Sequence, residues 1–157
     1  MLAQINQWID DTNQAFKEKR VSCDFLSTAF AGYYQRPFLE NAFYVCLEKL
    51  PKPDFPQLRQ AGFGDFIDMQ ANAITYKNVY YILPSAMAIE RVHFHELVHV
   101  AQWQHLGDLA FIERYMAEIQ HCGYADAPLE KMAYALDTVY AQAGAKIDVL
   151  AHVKESL

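Results

Sequence analysis

Residues 72–107 read NAITYKNVYYILPSAMAIERVHFHELVHVAQWQHLG and carry the strongest structural signals in the chain. Two short runs rich in β-branched and aromatic residues flank Lys77 and Asn78, a pattern that predicts a β-hairpin with a two-residue turn. Ser85 can cap the helix that follows, and Gly107 can end it after about 20 residues. The sequence therefore predicts a hairpin followed directly by a long helix.

Two more helices are expected after the long one. Asp108 can cap the first, whose apolar residues recur at spacings of three and four, and Gly123 ends it. Asp126 with Pro128 in the first turn opens the second. The carboxy-terminal half is therefore expected to be helical.

The amino-terminal half gives weaker signals. Apolar residues between Ile5 and Phe16 fall at helical spacing, and Ser22 with Asp24 can open a second helix that runs through Tyr33. Residues 42–50 predict a strand, and three prolines mark residues 50–64 as a loop. The sequence predicts a single α+β domain over residues 1–157. Residues 1–71 form its helices, strand and proline-rich loop, and residues 72–157 form the hairpin and the later helices. A small antiparallel sheet or hairpin is expected to pack beside the long helix.

Composition narrows the choice of partners. The chain has 157 residues, with 13 Lys and Arg against 19 Asp and Glu, and a formal net charge of −6. The charges are scattered, so neither nucleic acid nor a membrane is an expected partner. Three widely spaced cysteines and an amino terminus without signal-peptide features predict a soluble, cytoplasmic protein whose cysteines pack in the interior. The sequence carries no signal for an oligomeric state.

The residues most able to bind a metal ion or to transfer a proton lie in HELVH, residues 95–99. On a helix, His95 and His99 lie one turn apart on the same face, so both imidazoles can bind one metal ion. Glu96 projects beside them, where it can accept a proton from a water that the metal activates. The alternative interpretation is a helix with two histidines that are solvated or satisfied within the core.

The motif and its surroundings resemble a known class of enzymes. HELVHVAQ at residues 95–102, followed by APLEKMAYALD at 127–137, is similar to the gluzincin zinc metallopeptidases. The similarity is greatest to small bacterial metallopeptidases with HELVHVxQ and a later PxExEAY-type helix, and it extends over about residues 72–140. The resemblance implies a minimal zincin-like fold. It also implies that His95, His99 and Glu130 bind Zn²⁺ and that Glu96 is the general base.

Two departures from that pattern concern the later helix. Ala127 precedes Pro128 where related sequences often have Asn, and Met132 stands where a second acid is common. Glu113 and Glu118 of the intervening helix are rival third ligands, because helical geometry alone does not separate them from Glu130. A site completed by water is a further alternative. Glu130 is favoured by its neighbours: the small Ala133 lets another helix approach, and Tyr134 and Asp137 continue the polar face.

Further candidates surround this core of the site. Gln102 lies on the same side as His99 and can bond to a ligand or to a backbone carbonyl, although a plain polar helix position explains it equally well. Tyr134, Tyr124 and Tyr115 are possible oxyanion donors. Of the remaining histidines, His93 is expected to be a surface or packing residue, and His105 and His121 are expected near helix ends. His152, near the end of the sequence, carries no signal.

These features lead to competing functional hypotheses. The first is a zinc metallopeptidase that hydrolyses a peptide or protein substrate, held extended along an exposed strand from Val79 to Leu83. The alternative is a zinc-binding interaction or scaffold domain with little or no turnover, which the short chain favours because few residues remain for substrate pockets. A third is a helical interaction module without metal.

Overall fold

Helices make up most of the structure, and four short strands form one sheet. The computed structural model describes residues 1–157. A 3₁₀ turn at Cys23–Leu26 follows the first strand, and a π-helical turn at Arg59–Phe63 joins two short helices. In chain order the elements are α1 (Leu2–Ala15), β1 (Val21–Ser22), α2 (Arg36–Glu40), β2 (Phe43–Cys46), α3 (Pro56–Leu58), α4 (Gly64–Asp68), β3 (Ala73–Tyr76), β4 (Val79–Ile82), α5 (Glu90–Leu106), α6 (Asp108–Cys122), α7 (Pro128–Ala141) and α8 (Val149–Ser156).

The hairpin lies at one side of a mixed sheet. The strand order is β1-β2-β4-β3, in which β3 and β4 are antiparallel and β2 runs parallel to β4. Lys77 in the hairpin turn has a φ of 62°, the left-handed conformation that a tight two-residue turn requires. Strand β4 pairs with β2 on one side and with β3 on the other. Because β3 is last in the order, it is an edge strand of the sheet.

Both faces of the sheet are covered. Tyr80 and Ile82 of β4 belong to the apolar cluster formed with α5, α7 and α8, whereas Val79 and Tyr81 belong to the cluster formed with α1 and α6. All four residues of β4 are buried as a result. A strand buried on both faces has a continuous apolar sequence without polar alternation, which is what VYYI shows.

Helix α5 is the centre of the molecule. It packs against α7, α8, α6 and β3, and every residue from His93 to Trp103 is buried. A helix surrounded in this way needs no single apolar stripe, and polar side chains on it must find partners inside the protein. The HELVH segment therefore lies in the interior, not on a solvated face.

The α+β class, the hairpin and the helical carboxy-terminal half are confirmed. The sheet is mixed rather than only antiparallel, because β2 comes from the amino-terminal half and pairs in parallel with β4. The predicted strand over residues 42–50 is shorter, at Phe43–Cys46. Helix α8 and the short helices α2, α3 and α4 were not predicted individually.

The helix expected from Ser22 to Tyr33 does not form. Ser22 Oγ accepts a hydrogen bond from the Asp24 N–H as a cap would, but only the 3₁₀ turn follows. The Ser27 hydroxyl donates to the Asp24 carbonyl at 2.7 Å, which offers that carbonyl a partner outside a regular helix. Gly32, at a φ of 88°, then turns the chain.

Helix α5 begins at Glu90 instead of Ser85. The preceding residues are joined by short-range bonds, such as Ala86 N–H to Leu83 O and Ile89 N–H to Ala86 O, so they form tight turns. The His93 ring donates to the Met87 carbonyl at 2.7 Å, which also occupies an acceptor that a longer helix would use. The correction leaves HELVH well inside the helix.

The expectation that Val79 to Leu83 is an exposed edge is wrong. Residues Val79–Ile82 form the buried strand β4, because β2 pairs with the side that the hairpin leaves open. The free edge of the hairpin belongs to β3. Since Leu83 N–H donates to Asn72 O at 2.9 Å, antiparallel alternation turns the main-chain groups of Ala73 and Thr75 away from β4.

Two further findings bear on the sequence expectations. No helix combines the length and the apolar character needed to cross a membrane. All three cysteines are free, and only Cys23 is buried, while Cys46 is partly buried and Cys122 is exposed. Interior packing therefore applies to Cys23 and not to Cys122.

We expect Leu97→Ala to reduce the free energy of unfolding by about 2–5 kcal/mol, because Leu97 is fully buried in the centre of α5 and its removal leaves a cavity. Leu109→Ala, at a position 52% exposed on α6, is the matched control and should change stability by less than about 0.5 kcal/mol. Urea denaturation of both variants measures the difference. Equal effects would contradict the central place of α5.

Candidate metal centre

His95, His99 and Glu130 come together between α5 and α7. Glu130 Oε1 lies 3.2 Å from His95 Nε2 and 3.1 Å from His99 Nε2. One ligand atom from each residue lies within 4.8 Å of the others, and all three residues are buried. The helical spacing of His95 and His99 places both rings on the face that meets α7. Glu130 in its first turn completes the group.

Neighbouring side chains fix the orientation of both imidazoles. His95 Nδ1 donates to Asp137 Oδ2 at 2.9 Å. Gln102 Nε2 donates to the Leu129 carbonyl at 3.0 Å, so Gln102 Oε1 accepts from His99 Nδ1 at 2.8 Å. With Nδ1 donating in each ring, both Nε2 atoms turn towards Glu130.

This orientation requires a cation. In a neutral imidazole that carries its hydrogen on Nδ1, Nε2 presents a lone pair to the carboxylate oxygen of Glu130, which is repulsive. A proton on each ring or one metal ion relieves the repulsion. Ligand atoms about 2.1 Å from a tetrahedral metal lie roughly 3.4 Å apart, close to the separations of 3.1 and 3.2 Å. The residues therefore fit a metal ion with little movement.

Without a metal, the protonated imidazoles and the ionised carboxylates of the site stabilise one another. Burial opposes protonation of His95, but hydrogen bonds to Asp137 and Glu130 outweigh it and raise the pKa of the imidazole to about 10. Burial likewise opposes protonation of His99, whose pKa is raised by Glu130. Burial also opposes ionisation of Glu130, but His99 and His95 hold its pKa well below the usual range.

Tyr115 of α6 holds the other oxygen of Glu130. Its hydroxyl donates to Oε2 at 2.6 Å, a short bond typical of a charged acceptor. Burial, with the Glu130 charge beside it, raises the pKa of Tyr115 well above its ordinary value, so the phenol remains a donor. Oε1 is left to face the two imidazoles.

Glu96 lies beside this group without belonging to it. Its Oε2 is 3.9 Å from His95 Nε2, and its Oε1 is 3.3 Å from the Thr75 hydroxyl of β3. The Thr75 hydroxyl is also 3.3 Å from the Glu96 carbonyl, so the edge strand contacts α5 at this residue. Burial raises the pKa of the Glu96 carboxyl.

The buried carboxylates leave the site negatively charged when the imidazoles are neutral. Glu96, Glu130 and Asp137 are all buried, and Arg91 is the one cationic side chain among them, with its Nε 2.8 Å from Asp137 Oδ1. Three carboxylates and one guanidinium leave two negative charges. Because buried charge must be compensated, either two protons or one divalent cation balances the site.

The rival ligands lie elsewhere. Glu113 is exposed. Glu118 accepts from Arg114 at 3.0 Å and from the Leu129 N–H at 2.8 Å, so it supports the start of α7 and does not reach the cluster. His93 is buried against Tyr80 in the core, and the other histidines are outside the site; they are His105, His121 and His152.

The tyrosines singled out in the sequence differ in position. Tyr134 is 46% exposed, and its ring centre lies 4.4 Å from that of His95. The hydroxyl of Tyr124 is 3.5 Å from the hydroxyl of Tyr134. Tyr134 and Tyr124 therefore lie at the entrance of the site. The hydroxyl of Tyr115, by contrast, is hydrogen-bonded to Glu130.

Two voids meet at the cluster. The first, here the apolar cavity, has a volume of about 110 Å³ and reaches Glu96, His99 and Glu130; its apolar walls include Leu58, Phe63, Ile74, Trp103, Phe111 and Met116. The second, here the open cleft, reaches His95 and Asp137, with Gln70, Asn72, Arg91 and Tyr134 around it. Both voids are bordered by Ala71, Ala73, Glu96 and Tyr124.

Three hydrogen-bonding roles in the site were not predicted, although the sequence identifies Asp137 on the polar face of Glu130 and Tyr115 as a possible oxyanion donor. Asp137 lies seven residues after Glu130, a spacing of two helical turns that could have identified it as a partner for the same cluster. Thr75 is a polar residue at an inward position of an otherwise apolar strand, which is a weaker signal. Nothing in the sequence distinguishes Tyr115 from the other tyrosines as the partner of Glu130.

Comparisons with models of protein families, with characterised proteins and with solved structures gave no match. The functional interpretation therefore depends on the geometry of this centre.

We expect Gln102→Leu to weaken metal binding by about 10–100-fold and to lower stability by about 1–3 kcal/mol, because His99 Nδ1 and the Leu129 carbonyl lose their partner. Gln104→Leu, at an exposed position of the same helix, should change neither quantity measurably. Competition with a chromophoric chelator gives the affinity, and urea denaturation gives the stability. If both variants bind metal like the wild type, Gln102 has no role in orienting His99.

Proposed function

We propose that this protein is a zinc-dependent hydrolase of peptide bonds, with His95, His99 and Glu130 as metal ligands and Glu96 as general base. Two imidazoles and one carboxylate are the ligand set of many catalytic zinc sites, in which a fourth position stays open. The resemblance of HELVHVAQ to gluzincin metallopeptidases agrees with this assignment.

The position of Glu96 is the observation that carries the proposal. A site that only stored a metal would need no further buried carboxylate next to the ligands and outside them, and Glu96 is such a carboxylate. Glu96 faces the cluster with Oε2 while Thr75 holds Oε1. It borders both voids, so a substrate entering either one meets it.

When bound, zinc lowers the pKa of water towards about 7 and polarises a substrate carbonyl. Glu96 takes the proton that the attacking water loses and passes it to the leaving amine. Asp137 and Gln102 keep the two imidazoles in the orientation that binding needs, and Tyr115 keeps Glu130 from rotating. Tyr124 and Tyr134 at the entrance are the candidate donors to the oxyanion.

The edge strand β3 supports a peptide as substrate. The main-chain groups of Ala73 and Thr75 point away from β4, and both residues border the apolar cavity next to Glu96. An extended peptide that paired with this edge would pass the cluster with its carbonyl groups in the plane of the sheet. The strand proposed to hold the peptide is therefore β3, and not the strand from Val79 to Leu83 that the sequence suggested.

We expect one zinc per chain, and we expect Glu130→Gln to weaken its binding by more than about 100-fold, because the substitution removes an anionic ligand while keeping the shape of the side chain. Glu113→Gln makes the same change at an exposed position of α6 and should bind zinc like the wild type. Elemental analysis after dialysis and chelator competition measure both. A folded wild-type protein without saturable zinc uptake would refute the metal site.

We expect Glu96→Gln to retain zinc and to lower the rate of peptide hydrolysis by about 100-fold or more, because an amide cannot accept the proton from water. Hydrolysis of a mixed peptide pool by the zinc-loaded protein, followed by mass spectrometry, measures the rate. Glu113→Gln serves again as control and should cleave at the wild-type rate.

The same experiment separates the proposal from its alternative. A wild-type protein that binds zinc through Glu130 but cleaves none of the peptides would support the non-catalytic zinc-binding domain. Full activity of Glu96→Gln would remove Glu96 from the role of base.

A further inference from the structure

The two voids that meet at the cluster differ in chemistry. The apolar cavity is bordered by residues of β3, α1, α5, α6 and the short helices between β2 and β3. Its lining is mostly apolar, and its few polar residues include Glu96, His99 and Glu130, together with Lys52 and Thr75. The open cleft, on the other side of Glu96, is lined by polar side chains such as Gln70, Asn72 and Arg91.

We propose that the apolar cavity binds one bulky aliphatic or aromatic side chain of the substrate, next to the bond that is cleaved. This inference rests on the proposed function, because it treats the cavity as part of the substrate site. The substrate class is then a peptide with a large apolar residue on one side of the scissile bond and no such requirement on the side that occupies the open cleft.

The size of the cavity supports a single side chain. Its volume is about 110 Å³, and an apolar protein cavity of about 150 Å³ is known to take up benzene. One aliphatic side chain or one aromatic ring is therefore near the largest group that this volume can hold. Glycine or alanine would leave most of the volume empty, and a charged side chain would lose its hydration against walls that are mostly apolar.

The position of the cavity links it to catalysis. Ala73 and Thr75 of β3 border it and direct their main-chain groups to the free edge, so a peptide paired there would turn alternate side chains towards the cavity. Glu96 stands at the junction of cavity and cleft. A side chain inserted in the cavity would thus fix the adjacent peptide bond beside Glu96.

The test uses Met116, which lines the cavity from α6 and is only partly buried. Met116→Trp fills the cavity, and Met116→Ala enlarges it. Leu109→Trp introduces the same ring at an exposed position of the same helix and is the matched control. Binding of N-acetylphenylalanine amide and of N-acetylglycine amide to the full chain without added metal is followed by NMR titration.

We expect the phenylalanine amide to bind the wild type and Leu109→Trp at least about 10-fold more tightly than the glycine amide. Met116→Trp should lose that preference, and Met116→Ala should shift it towards the larger naphthylalanine amide. If Met116→Trp fails to fold, the shift in Met116→Ala decides. Equal binding of the two amides to the wild type, or an unchanged preference in the folded Met116 variants, would overturn the inference.

Cleavage by the zinc-loaded protein separates this inference from the proposed function. Cleavage next to leucine or phenylalanine, with the preference changed in the Met116 variants alone, supports both. Cleavage without any apolar preference overturns the inference and leaves the proposed function standing. Amide binding as expected, with no cleavage of any peptide, overturns the proposed function and keeps the cavity as a site for apolar side chains.

Discussion

The compensation of buried charge between α5 and α7 is the constraint on which the centre of this protein depends. Glu130 brings a carboxylate into the interior, and its two oxygens are shared between the imidazoles of α5 and the phenol of Tyr115. Asp137 brings a second carboxylate from α7, which His95 and Arg91 hold. The helices cannot separate without leaving these groups unpaired, and such groups are costly in the interior.

The hairpin places the edge strand β3 next to the central helix α5. Strand β4 is held on both sides and on both faces, so it serves as a rigid support. Strand β3 is paired on one side only, and its Thr75 contacts Glu96. One short strand therefore both borders the two voids and contacts the proposed base.

The candidate site was predictable where it depends on local spacing. His95 and His99 lie four residues apart on a helix, and any helix places them on one face. Glu130 depended on resemblance and on the polarity of its neighbours, and the structure brings it to both imidazoles. Gln102 was foreseen as bonding to either a ligand or a backbone carbonyl, and it bonds to both His99 and Leu129. Thr75 and Tyr115 required contacts between segments distant in sequence.

Local sequence patterns were enough to predict the hairpin, helices α5 to α7 and the pairing of His95 with His99, because each follows from the periodicity of neighbouring residues. Long-range packing fixed which edge of the hairpin is free, since β2 joins β4 from the amino-terminal half. It also decided that Glu130, and not Glu118, meets the histidines. The physical reason is the same in both cases: strand pairing and helix packing depend on long-range contacts, which local patterns do not encode.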